Sequence, residues 1–306
     1  MKRDYKGILL TILGASCWGL SGSVGQYLFD VQHMDSQWLV PIRLGLAGLI
    51  LIVYCLIKYK GETFKPWTTQ GRPKYMITYG LLGVSCCQFL YFLTIELSNA
   101  AMGTILQDLA PIFILLVTCL YEKRGPKIGE ICAIMLAILG VLFLTTHGNI
   151  ENLSVARGPL IAGVGSAICV MIYNVLAPKI TNDTPVVIAQ AWSFLMGGTF
   201  GCLLFRIWEI PYTPNLYGLM GIAFVVLVGN IGAFTLYISG VKRIGPNKAS
   251  LYSFAEPITA AIIGTTILGN EFTVYDAIGF ALIFLMLCSI TFSKKTNKRQ
   301  MNQINK

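Results

Sequence analysis

The chain has 306 residues, of which 55% belong to the set AVILMFWYC and only 12% are charged, and its mean hydropathy is +0.67. That leaves too little polar surface to cover a soluble globule, which excludes the water-soluble two-domain protein that length alone would allow. The formal net charge of +9 raises nucleic acid as a partner, and the placement of the basic residues along the chain argues against it.

A helix that crosses a bilayer needs about 20 mostly apolar residues. Ten such stretches follow one another: Gly7 to Leu28, Trp38 to Ile57, Tyr75 to Leu97, Ala101 to Tyr121, Ile128 to Thr146, Gly158 to Ile180, Val187 to Trp208, Leu216 to Gly240, Ala249 to Leu268, and Val274 to Phe292. They are continuously apolar and punctuated by Gly and Pro, without the alternation of a membrane β-barrel. A helix satisfies its own backbone in lipid. The expected fold is therefore an all-α integral membrane protein with ten transmembrane helices. The first stretch, with Lys2 and Arg3 ahead of Gly14-Ala15-Ser16-Cys17, superficially resembles a lipoprotein leader. It runs on through Trp18 to Leu28 and is read as a span.

With the amino terminus inside, the inner segments collect 20 of the 23 basic residues. The main clusters lie between Lys58 and Lys74, between Lys123 and Lys127, and in the tail from Lys294 to Lys306. Arg157 and Arg206 remain outside, and Arg43 lies within a span. This asymmetry predicts cytoplasmic termini in a multi-pass cell-membrane protein, with anionic lipid headgroups near the basic tail and no nucleic acid. The nine cysteines fall inside predicted spans without a CxxC pair and read as small apolar residues. His33 and His147 stand on outer loops with no ligand cluster, so no metal is expected.

A weak internal repeat is present. Laying Pro111 over Pro257 also superposes Leu81 on Leu227, Gly83 on Gly229, Leu90 on Leu236, Tyr91 on Tyr237 and Ile112 on Ile258. Gly7, Leu9 and Gly14 likewise match Gly158, Leu160 and Gly165. The expected organisation is a five-helix half over 1–150, a second over 151–293 and a basic cytoplasmic tail over 294–306. An odd number of spans per half turns the second upside down, the inverted repeat of many secondary transporters, whose substrates bind near the midplane.

These residues carry a family resemblance. Ala15-Ser16-Cys17-Trp18-Gly19, Pro41-Ile42-Arg43-Leu44, Tyr91-Phe92 followed by Ala100-Ala101, Pro111 followed by Glu122, and Ala249-Ser250 with Glu256-Pro257 and Gly269-Asn270-Glu271 resemble the EamA family of the drug/metabolite transporter superfamily over nearly the whole chain. The resemblance implies a ten-helix inverted-repeat transporter with a central cavity, commonly exporting amino acids or related metabolites, and leaves the cargo open. Asp108 departs from the apolar or small residue that the family pattern has there.

Ionisable residues inside a membrane are functional candidates by default. Arg43 and Asp108 lie roughly 8 to 12 Å below the outer boundary by helix rise. They read either as a substrate-orienting pair, with Arg43 taking a carboxylate, or as a structural ion pair. Asp108 is also a candidate proton carrier, since a carboxyl in a low-dielectric cavity can exchange a proton in the working pH range. Glu256 reads as a substrate or proton handler or as a structural acid. Pro111 and Pro257 are candidate hinges or static kinks. Trp18, Tyr91, Tyr173, Trp192, Tyr237 and Tyr252 lie away from the interfacial belts and are candidates to line the path, each weighed against packing between helices. Gln26, Gln88, Gln107, Asn174, Gln190 and Asn230 are equally open between lining the path and gluing helices together.

There is no Walker motif, metal cluster or nucleophile constellation, so neither a cofactor nor catalysis is expected. The expected function is a secondary carrier or facilitator exporting a small amphipathic metabolite, amino acids first, with protons as a candidate coupling ion. The runner-up is efflux of hydrophobic cations or drugs, favoured by Asp108 and Glu256 and opposed by Arg43. A membrane sensor or enzyme is the alternative from another class.

Overall fold

Apolar runs bounded by charge and by Gly or Pro fold here as a bundle of helices, and no strand occurs among the described residues. The computed structural model describes residues 4–147 and 157–304, with side chains described except at 247 and 292–304. Lys2, Arg3, Lys306, the side chains of the basic tail and the expected boundary between halves near 150 lie outside the described residues.

The helices are α1 Tyr5–Asp30, α2 Ser36–Tyr59, α3 Arg72–Leu97, α4a Ala100–Gln107, α4b Ala110–Tyr121, α5 Ile128–Thr146, α6 Arg157–Thr181, α7 Val186–Leu204, α8 Leu216–Ile244, α9a Pro246–Tyr252, α9b Ala255–Thr266 and α10 Val274–Ile304. Among the described residues, nine helical segments are long and apolar enough to cross a membrane. The span expected over Ala249–Leu268 is divided between α9a and α9b and is not among the nine. Proline cannot donate to the carbonyl four residues back, and the Ser253 carbonyl instead accepts the Glu256 N–H at 2.9 Å across the break. Pro111 and Pro257 consequently sit in the first turns of α4b and α9b, where a missing N–H is tolerated, not in the interior of continuous helices.

The two halves repeat each other in detail. Within α3 the segment Thr78–Ser85 is π-helical, and within α8 so is Val225–Gly232. Each is followed by 12 residues of α-helix, Cys86–Leu97 and Ala233–Ile244, and then by the broken pair α4a/α4b or α9a/α9b. The packing follows the same exchange. Helix α2 packs on α7, α5 on α10, α1 on α8 and α3 on α6, so swapping the halves maps each close pair onto itself or onto another close pair.

Small residues permit this packing, since lipid offers no hydrophobic drive between helices and close van der Waals contact must supply it. Along α1, Gly7, Gly14 and Ser21 meet Arg243, Tyr237 and Gly229 of α8 in falling order, so the two helices are antiparallel. Along α9b the order rises: Ser16 bonds Thr259 and Gln26 bonds Asn270, so α1 and α9b run parallel. Gly198 of α7 lies on the backbone of Gly45 of α2.

Candidate functional site

The breaks in α4 and α9 place two acids in the interior. Asp108 lies in the α4 break and Glu256 in the first turn of α9b. The half-helices that start there point positive dipole ends inward. Both residues are half-buried within the bundle. Asp108 Oδ2 has no hydrogen-bond partner, and each acid lies within electrostatic range of the other.

Tyrosines surround them. The buried Tyr91 lies in range of Glu256, Arg43 and Asp108. Its hydroxyl faces the Glu256 carboxyl across a geometry too poor for a full hydrogen bond. It rests on Gly22, where a Cβ would lie 2.7 Å from it. Tyr237, the repeat equivalent, lies beside Ser253 at the α9 break and in range of both acids. Its ring meets Trp18 with centroids 4.9 Å apart at 48°. Tyr173 packs on Gly83 and against Tyr79, with ring centroids 6.2 Å apart, and lies in range of Tyr237 and Glu256.

Arg43 sits to one side of this group. No ion pair joins it to Asp108 or to any other acid among the described residues. Its Nη1 donates to Asn230 Oδ1 at 3.3 Å and its Nη2 to Gln88 Oε1, and its guanidinium carbon lies 3.6 Å above the centre of the Phe92 ring. Asn230 belongs to the π segment of α8, and Gln88 follows that of α3; a π-helical turn widens the helix and is frequent at functional sites.

Trp18, Tyr91, Asp108, Tyr173, Tyr237 and Glu256 are thus gathered, with Arg43 adjoining through Tyr91. Trp192 lies apart: its indole N–H donates to Thr63 O at 2.8 Å, and its ring packs against Phe64 and Trp67 of the linker after α2. Tyr252 ends α9a one residue before the break. Gln88 and Asn230, polar residues already visible within their spans, supply the acceptors that a buried guanidinium needs; nothing in the sequence singled out Phe92.

The model of the EamA-like transporter family matches this chain twice, over residues 5–146 and 157–292. The chain belongs to that family. Among curated relatives, it is 30% identical to the uncharacterized inner membrane transporter YicL of Salmonella typhimurium, over 98% of this chain and 99% of that one. It is 24% identical to the uncharacterized transporter YyaM of Bacillus subtilis, over 92% of each. A crystal structure of a protein at 17% identity superposes with a TM-score of 0.63 over 96% of this chain and 99% of its own, a likeness of fold. This EamA-like chain is accordingly a multi-pass cell-membrane transporter.

Proposed function

We propose that this EamA-like transporter is a secondary carrier that exports a small amphipathic metabolite, amino acids first, by alternating access at the site between its halves. The observation that carries the reading is the placement of Asp108 and Glu256 at the two repeat-equivalent helix breaks, with Tyr91 and Tyr237 beside them. Broken helices at a repeat interface are where secondary transporters hold cargo and coupling ions. A carboxyl inside the bundle and lacking a cationic partner is suited to carry a proton with the cargo.

The same proposal takes α9a and α9b as a tenth crossing and both termini as cytoplasmic. The parallel course of α1 and α9b, and the antiparallel course of α1 and α8, support it, because alternate crossings of ten spans require those directions. In this frame the basic linker 60–71 and the α6–α7 turn lie at the cytoplasmic end, and Asn270 at the outer end.

A second reading, efflux of hydrophobic cations, draws support from the same two acids, which face aromatic rings with no basic side chain paired to them. Uptake and counterflow of labelled amino acids and lipophilic cations in proteoliposomes, with and without a pH gradient, separates the two. We expect amino-acid counterflow that responds to the gradient and loses that response in Asp108→Asn or Glu256→Gln. Movement of lipophilic cations alone would establish the second reading, and movement of neither class would refute both.

A further inference from the structure

Arg43 is 1% exposed and Asn230 5%. A full charge in the interior costs several kcal/mol unless paired and hydrogen-bonded, yet the acceptors around this guanidinium are two neutral amides and a ring face. The set is also unfinished: Arg43 Nε and Asn230 Nδ2 are both buried without a partner. Two orphaned donors beside an unneutralised cation describe a site built for an anion.

We infer that Arg43, with Asn230 Nδ2, is the subsite for the carboxylate of the cargo, and that Gln88 and Asn230 are neutral stand-ins which hold the guanidinium until that carboxylate arrives. The inference rests on the transport reading above and deepens it. A carboxylate adds its own negative charge to the charge-assisted bonds that the guanidinium makes to a neutral amide, and it matches the guanidinium fork in bidentate fashion. It therefore displaces an amide oxygen from Arg43, and Asn230, its own oxygen released, turns its free N–H toward the newcomer.

The exchange matters for movement because of where the groups are mounted. Arg43 and Gln88 belong to α2 and α3 of the first half, and Asn230 to α8 of the second. Arrival of the carboxylate replaces a direct bond between halves with one that passes through the cargo. Binding free energy then acts on the junction that alternating access has to rearrange. Tyr91 lies in range of Arg43 and of Asp108 and Glu256, so the site has a positive and a negative pole. That polarity selects a zwitterion: a carboxylate at Arg43 and an ammonium toward the acids.

The test compares neutral amino acids with their amides and their decarboxylated amines, in counterflow on the full-length protein and as shifts of its unfolding temperature in detergent. Wild type is expected to prefer the carboxylate-bearing member of each set, and Arg43→Gln to lower that preference at least ten-fold. Asn230→Ala is expected to lower it by a smaller factor. Monodispersity on gel filtration checks that Arg43→Gln folds; if it does not, the wild-type preference and Asn230→Ala decide. Amides and amines handled as well as amino acids by wild type, or equal loss for all three in the variants, would overturn the subsite and leave the carrier standing. Movement of none of them would overturn both.

Discussion

Gln26 on α1 and Asn270 beyond α9b meet as a reciprocal amide pair: each Nδ2 or Nε2 donates to the other's oxygen, at 2.9 and 3.2 Å. Gln26 also accepts the Ala100 N–H at the start of α4a at 3.0 Å and donates to Asp30 at 3.2 Å. One buried side chain thus ties both broken helices to α1 and joins the two halves. Asn270 lines a cleft of about 480 Å³ with Asn99, His147, Glu271 and Asp276. Separating α1 from the segment after α9b at this end of the bundle would require the pair to part.

Gln26→Ala should therefore destabilise the protein by about 1–3 kcal/mol, because it orphans the buried Ala100 N–H as well as Asn270. Asn270→Ala should cost less, since Gln26 keeps its other partners. Thermal unfolding of both single variants and the double variant in detergent gives the coupling, expected at about 0.5–3 kcal/mol. Simple additivity would show that the pair does not join the halves energetically.

At the opposite end, Asp183 in the α6–α7 turn binds Arg72 at 2.7 Å and Lys65 at 3.4 Å, linking the turn to the linker after α2. The Arg72 bond, aided by Lys65, holds the Asp183 carboxyl at about 2, below its ordinary 3.8. The unfolded chain therefore takes up the proton first, and the link contributes its full stability above about pH 4 and loses it as pH falls toward 2. Asp183→Asn is expected to flatten the fall in unfolding temperature across that window. High salt should narrow the difference between variant and wild type at neutral pH, because the pair is exposed. An unchanged acid limb in the variant would assign acid sensitivity to other carboxyls.

What could be read from the chain alone follows from what each signal measures. Hydropathy reports where lipid-compatible segments run, so Gly7 to Leu28 was expected and Tyr5–Asp30 is found. It is blind to backbone breaks: Ser253 and Phe254 look like span residues, yet the helix stops there. Helix rise gives depth but not direction around the axis, which is why Arg43 and Asp108 share a depth without forming an ion pair. Trp192 illustrates the same limit, since its position within a span said nothing of its bond to Thr63. The inverted repeat was visible through Pro111 and Pro257, whereas the π segments were not, because the composition of Thr78–Ser85 resembles that of any other span.

The α2–α7 seam sets the spacing between halves, and Gly48 and Gly198 within it should tolerate no side chain. A Cβ on Gly48 would lie 2.7 Å from Leu195 Cα, and one on Gly198 would enter the Gly45 backbone. Gly48→Ala and Gly198→Ala are each expected to cost about 1–3 kcal/mol by overpacking. Gly61, with nothing within 4 Å of an added Cβ, is the control, and Gly61→Ala should leave the unfolding temperature unchanged. Equal behaviour of all three would mean that the seam relaxes freely.

Tyr91 and Tyr237 occupy equivalent places in the two halves beside the same two acids, and removing each hydroxyl separates packing from function. Tyr237 lies beside Ser253 at the α9 break, and Tyr237→Phe should cost no more than roughly 1 kcal/mol of stability. The Tyr91 hydroxyl is buried without a full partner, and removing an unsatisfied polar group is neutral or stabilising. Tyr91→Phe should therefore melt at or above the wild-type temperature. If that hydroxyl instead completes its bonds when cargo or a proton arrives at Glu256, the same variant should lose about ten-fold in counterflow, the effect of one hydrogen bond to a charged group. A variant that is stable and slow places Tyr91 in the transport path. One that melts early and transports normally makes it a packing residue, and the polar link between Arg43 and the two acids would then have to run through another side chain.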